Sequence, residues 1–187
     1  ENKKLKIIKN KVLKLDKPNI LELGVQNGNS TNMFLEICNQ NDGYLTSIDI
    51  DNCSNVSNDK RWNFIQSSDD NFEFIETKIN DKKFDVLYID SFHEPNHVKK
   101  VFYHYFYFLK KGGMIFIDDV VWLPYVKGGY RDNDFVERIN RSVFEKLMEI
   151  YNQNTDNLTL DINFNESGLA ILTKIGTELN VEKKIKN

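Results

Sequence analysis

Twelve residues, Ile20-Leu21-Glu22-Leu23-Gly24-Val25-Gln26-Asn27-Gly28-Asn29-Ser30-Thr31, limit what this chain can fold into more than any other stretch. An apolar run meets two glycines and then small hydroxyl residues, the pattern of a strand that turns tightly into a helix. Gly24 and Gly28 allow the backbone to bend and to approach a ligand closely, and Ser30 or Thr31 is placed to cap a helix beginning near Asn32. The spacing Glu-x-Gly-x-x-x-Gly is not the Gly-x-Gly-x-x-Gly of a pyrophosphate loop, so a dinucleotide diphosphate is not the expected ligand. The plain alternative is that two glycines merely end a strand.

Strands and helices alternate along the rest of the chain. Strands are expected at Asn19–Leu23, Tyr44–Ile50, Trp62–Gln66, Phe84–Asp90 and Met114–Asp118, the last two apolar enough to be buried on both faces of a parallel sheet. Leu5, Ile8, Val12 and Leu15 give an amphipathic N-terminal helix that Pro18 ends, with its lysines read as a solvated face. Further helices bury Met33, Phe34, Ile37 and Cys38, then run from Ser68 or Asp69 to about Asn80. The next carries a stripe from Val98 to Leu109, closed by Lys110-Lys111-Gly112-Gly113, and another, capped by Asn133 or Asp134, follows. Leu158–Phe164 and Leu169–Lys174, joined by Asn165-Glu166-Ser167-Gly168, read as an antiparallel hairpin. The expected fold class is α/β: a Rossmann-like doubly wound sheet, mostly parallel, with a terminal antiparallel hairpin. It is expected as one domain over residues 1–187, with a polar tail at 176–187 and a loop from Trp122 to Asp132 at the substrate rim.

In such a sheet ligands bind beyond the carboxyl ends of the strands, and Gly24, Asp49, Asp90 and Asp118-Asp119 all fall there. Converging acids are costly unless a cation or a hydroxyl-rich ligand compensates them. Asp49 stands about twenty residues after the glycines, where such folds place a carboxylate on a ribose diol; Asp51 is the second choice, and a bare strand end the plain one.

With the glycine turn, Asp49, the stretch DVLYIDSFH and the stretch GGMIFIDDV, the chain resembles the class I S-adenosylmethionine-dependent methyltransferases over about residues 15 to 175. The closer resemblance is to small O-methyltransferases of the catechol and macrolide-sugar types, which use a divalent metal. It implies S-adenosylmethionine at Gly24, Gly28 and Ser30, with its ribose on Asp49, its amino group at Glu22 or the backbone near Gly24, and its adenine near Gln66–Ser68. Asp90 borders both cofactor and acceptor. It further implies a magnesium or similar ion on Asp90, Asp118 and Asp119, whose oxygens suit it; the alternative is that Asp118 and Asp119 cap the following loop. His93, three residues beyond Asp90, stands where the sugar-modifying group carries a histidine, and is read as the base or as a ligand-orienting or capping residue. Ser68 and Asp69 are equally readable as helix caps, and His97 and His104 as surface or core-edge residues. The acceptor implied is a hydroxyl of a small molecule or sugar.

Charge bears on the rivals. Seven lysines against Glu1 and Asp16 give residues 1–17 a charge of +5, so with −3 overall the remaining residues sum to −3 − 5 = −8. That body is a poor surface for nucleic acid, which weighs against a cap-type RNA ribose methyltransferase; a non-catalytic cofactor-binding module is the other alternative. Cys38 and Cys53 fit neither a metal spacing nor a disulfide framework, and no apolar run is long enough to span a membrane. A reducing, cytoplasmic setting is therefore expected.

Overall fold

The computed structural model describes residues 2–122 and 134–180. Its elements are α1 (Lys3–Val12), β1 (Asn19–Leu23), α2 (Asn29–Asn41), β2 (Tyr44–Asp49), β3 (Trp62–Gln66), α3 (Phe72–Ile79), β4 (Phe84–Ile89), α4 (Pro95–Phe106), β5 (Leu109–Asp118), α5 (Asp134–Gln153), β6 (Leu158–Asn163) and β7 (Leu169–Lys174). The seven strands form one sheet in the order β3-β2-β1-β4-β5-β7-β6. All neighbours up to β5 are parallel, and β7 runs antiparallel to both β5 and β6. This is the Rossmann-like doubly wound sheet with a terminal antiparallel hairpin that the sequence pattern predicts.

Alternation within each strand builds two cores. Val86 and Tyr88 of β4 pack with Ile8 and Val12 of α1 and with Phe34 and Ile37 of α2. Leu87 and Ile89 face the other way, onto Ile75 of α3, Val101 and Phe102 of α4, and Val143 and Leu147 of α5. A two-residue side-chain period in a strand covered on both faces requires apolar residues at every position, which is why FDVLYI reads as a continuous run. Each large side chain so enclosed contributes about 1.5–3 kcal/mol.

Several boundaries differ from the expected ones. Helix α1 ends at Val12, and Lys4 on it is buried at 6 % exposure instead of solvated. Helix α2 starts at Asn29, its N-cap being Gly28 in the left-handed conformation (φ +77°), so neither Ser30 nor Thr31 caps it. The N-cap of α3 is Asn71, with no side-chain cap bond, so Ser68 and Asp69 do not cap either. Strand β5 begins at Leu109, because the Lys110–Gly113 stretch is a bulged continuation of it: Phe84 pairs with Leu109 and Val86 with Met114. The loop beyond Trp122, the Asn133 cap and the tail beyond Asn180 lie outside the described residues.

The strand order reverses between β1 and β4, so the crevice above their carboxyl ends is where the fold leaves room for a ligand.

Candidate functional site

A cleft of about 1070 Å³ opens at that point. Gly24, Asp49 and Ser68 line one part of it, and Asp90, His93 and Asp118 another. The strand-end acids expected from the sequence thus converge in space.

The turn after β1 is held from beside and from below. Asp49, at the end of β2, accepts the amides of Val25 (2.7 Å) and Gln26 (3.0 Å) through one carboxylate oxygen and that of Asp51 (2.9 Å) through the other. Burial opposes its ionisation, but these amides outweigh burial and hold its carboxyl below the usual range. Underneath, Glu22 is completely buried and accepts the hydroxyls of Ser30 (2.6 Å), Thr31 (2.8 Å) and Ser47 (2.6 Å). Burial raises its carboxyl to about 7 despite those three bonds.

Glu22, expected with the backbone near Gly24 as a place for a cofactor amino group, has both carboxylate oxygens on these hydroxyls. Its oxygens point into the protein, and among the described residues that line the cleft neither Glu22 nor Gly28 is present. Ser30 does line it, with its hydroxyl turned to Glu22. The glycines are required for packing. A Cβ on Gly24 (φ +97°) would stand 2.2 Å from the carbonyl oxygen of Asp90, and one on Gly28 would stand 2.2 Å from the side chain of Val56. Gly24 thus lets β1 and β4 close together at the base of the cleft.

Beyond β3, Ser68 donates to Asp70 (2.6 Å), and Asp69 accepts the hydroxyl of Ser91 (2.6 Å). The Nε2 atom of His97 lies 2.9 Å from Asp69, which raises the imidazole pKa against the effect of burial. His97 lines the cleft. Its sequence neighbourhood suggested an edge residue; only the packing of α4 beside the end of β3 reveals the pair. His104 stacks on Phe72 away from the cleft, as a core-edge residue.

The acids after β4 and β5 form a third group. Tyr88 donates its hydroxyl to Asp90 (2.9 Å) and lies 3.2 Å from Asp118. Burial and the charge of Asp118 push the Asp90 carboxyl up, and burial does the same to Asp118. His93 Nε2 lies 3.7 Å from Asp90 and has no hydrogen-bond partner among the described residues. No local pattern marks Lys4, on a helix read as solvated, as a member of this group. Its ammonium bonds Asp118, Asp119 (3.1 Å) and the hydroxyl of Ser167. Ser167 reaches the group because β7 returns antiparallel to β5, pairing Leu169 with Asp118 and bonding its own carbonyl to the amide of Val121.

The expected divalent ion does not fit this donor set. Asp118 and Asp119 each give an oxygen to the Lys4 ammonium, while Tyr88 donates to Asp90 and approaches the second oxygen of Asp118. A divalent ion placed among them would stand against a fixed positive charge. Among the described residues no group of three or more His, Cys, Asp or Glu side chains is arranged to hold a metal. Asp118 and Asp119, expected with Asp90 as a metal set, close on the Lys4 ammonium, while Asp90 accepts the Tyr88 hydroxyl.

A doubly wound sheet with its cleft at the β1/β4 reversal, a glycine turn and a carboxylate after β2 is the arrangement of a nucleoside-binding α/β domain. Residues 21–120 match the family described as "Methyltransferase domain", and the chain belongs to that family of S-adenosylmethionine-dependent enzymes. No curated protein sequence matches it. Among solved structures it is similar to a Staphylococcus aureus protein named as a candidate caffeoyl-CoA O-methyltransferase, with 23% identity over 93% of this chain and 84% of that one, at a TM-score of 0.72. It is also similar to the methyltransferase MycE of mycinamycin biosynthesis, described in complex with Mg and SAH (23% identity, TM-score 0.64), where it covers 91% of this chain but spans about half, 48%, of that one. A Clostridium thermocellum protein named as a candidate rRNA methylase is similar at 16% identity and a TM-score of 0.67, over 92% of this chain and 96% of that one. At these identities the likeness concerns the fold.

Among the described residues no helix is long and apolar enough to cross a membrane. Cys38 and Cys53 are free and buried.

Proposed function

We propose that this chain transfers a methyl group from S-adenosylmethionine to a hydroxyl oxygen of a small molecule or sugar. The observation that carries the reading is a single cleft joining the glycine turn to the Asp90–His93 pair. One end offers a polar cradle for a nucleoside, the other an imidazole nitrogen with no hydrogen-bond partner among the described residues. The cleft, at about 1070 Å³, holds more than a cofactor alone requires.

When bound, the cofactor supplies an activated methyl group whose carbon–sulfur bond breaks with the electron pair going to sulfur. The chain's own residues align and deprotonate the acceptor. Gly24 and Ser30 shape the amino-acid end of the cradle, and Asp49 or Asp51 takes the ribose diol. Ser68 and Asp69 border the adenine. His93 Nε2 accepts the hydroxyl proton as the oxygen attacks, with Asp90 3.7 Å from the ring. Alignment of acceptor and methyl carbon supplies most of the acceleration. Magnesium, implied by the sequence resemblance, has no step here, since the Lys4 ammonium bonds Asp118 and Asp119. A charge of −8 outside the first 17 residues favours a small acceptor over RNA. The cytoplasm is the compartment that fits two free thiols.

The test is incubation with methyl-labelled S-adenosylmethionine and a panel of catechols, sugars and RNA, with products read by mass spectrometry. Methylated oxygen on a catechol or sugar is the expected result. Label in RNA alone, or none on any acceptor with the cofactor bound, would replace this reading by one of the two alternatives.

A further inference from the structure

Lys4 stands where the resemblance would place a divalent cation, and we infer that Lys4 is the built-in cation of this acid cluster, a positioning residue that makes the cluster independent of bound metal and makes α1 a wall of the site. Its meaning for turnover rests on the methyl-transfer reading; the binding measurement below does not.

Three observations carry it. The ammonium has three hydrogens and three partners, Asp118, Asp119 and Ser167, drawn from the ends of β5 and β7. Lys4 is also the one buried lysine of α1, at 6 % exposure, while Lys3 and Lys6 on the same helix are exposed. A lysine gains nothing from that position as a helix former. The first turn of α1 contains no acid, and a positive charge there opposes the helix dipole, so the stabilisation comes from across the cleft.

The helix cannot easily withdraw. Ile8 and Val12, one and two turns further on, are fully buried beneath the sheet face, and the amide of Lys3 donates to Glu166 in the β6–β7 turn (3.3 Å). Asp119 takes a left-handed backbone (φ +55°), one that Asp tolerates better than most residues, at the point where the chain leaves β5 beside the ammonium. Burial lowers the tendency of Lys4 to stay charged, but the two carboxylates outweigh it and the group remains an ammonium. One positive charge from the chain thus does what an ion would do: it keeps Asp118 and Asp119 oriented at the acceptor end of the cleft.

The experiment is a manganese titration of the full chain followed by the electron paramagnetic resonance signal of free Mn2+, with no methyl donor present. The parent is expected to bind with a dissociation constant weaker than about 1 mM. Lys4→Met keeps the apolar stem but leaves the acids uncompensated, and should bind Mn2+ at least about tenfold more tightly than the parent. Adding Asp119→Asn to Lys4→Met should remove the gain, and Lys4→Arg should behave as the parent. Parent binding well below 1 mM that Asp119→Asn abolishes would overturn the inference. The parent measurement stands even if Lys4→Met does not fold. Calorimetry with S-adenosylhomocysteine tests the methyltransferase reading separately, so the two failures are distinguishable.

Discussion

The carboxylate of Asp49 accepts the backbone amide of Val25 at 2.7 Å, so the end of β2 fixes the conformation of the turn that follows β1. Asp49→Asn replaces an acceptor of amide hydrogens by a group that is half donor. Bonds to a charged group are worth about 1.5–3 kcal/mol each, so affinity for S-adenosylhomocysteine should fall by about tenfold to a hundredfold in calorimetry. Asp51→Asn provides the contrast, because Asp51 lines the cleft without holding the turn. A larger loss from Asp51→Asn would assign the ribose to Asp51.

Gly24→Ala should impair folding as well as binding. Its Cβ meets the Asp90 carbonyl at 2.2 Å, and φ +97° is unfavourable for any side chain. Backbone strain of this kind costs about 1–3 kcal/mol before the clash is counted. A lowered melting temperature together with lost cofactor binding is expected. Lost binding at parental stability would mean that Gly24 meets the ligand and not β4.

Glu22 gives a pH signature. Its carboxyl is raised from 4.5 to about 7, so the protonated form is favoured in the folded state. The associated stability is fully present below about pH 4.5 and is lost as pH rises through about 7. At about 1.4 kcal/mol per unit the loss is on the order of 3 kcal/mol. Glu22→Gln is nearly isosteric with the protonated acid and lacks the titration. Its stability relative to the parent, from denaturant unfolding, should rise between those two pH values. A constant difference across the range would show that Glu22 does not titrate there.

His93→Ala should lower the maximal rate by roughly 10²–10⁴-fold, the usual contribution of a positioned base, with cofactor affinity little changed. His93 stands beside Asp90 at 3.7 Å, away from the amides that Asp49 holds. Steady-state kinetics with saturating cofactor checks the first part and calorimetry the second. A rate within about threefold of the parent would exclude proton abstraction by this imidazole.

Sequence alone determined the elements and their order along the chain. Apolar runs of strand length, helical stripes and glycine turns are local patterns, so the parallel sheet, the terminal hairpin and the convergence of Asp49, Asp90 and Asp118-Asp119 were legible residue by residue. Only the tertiary structure decided what those acids meet. Lys4 and Asp118 are 114 positions apart, and a lysine on an amphipathic helix has no local mark that separates a solvated side chain from a buried counter-ion. Ser167 enters through the antiparallel register of β7, His97 through the packing of α4 beside Asp69, and Glu22 leaves the cleft because three hydroxyls enclose it. The charge balance of a site is summed over elements that only folding brings together, so the sequence could locate the acids but not their cation.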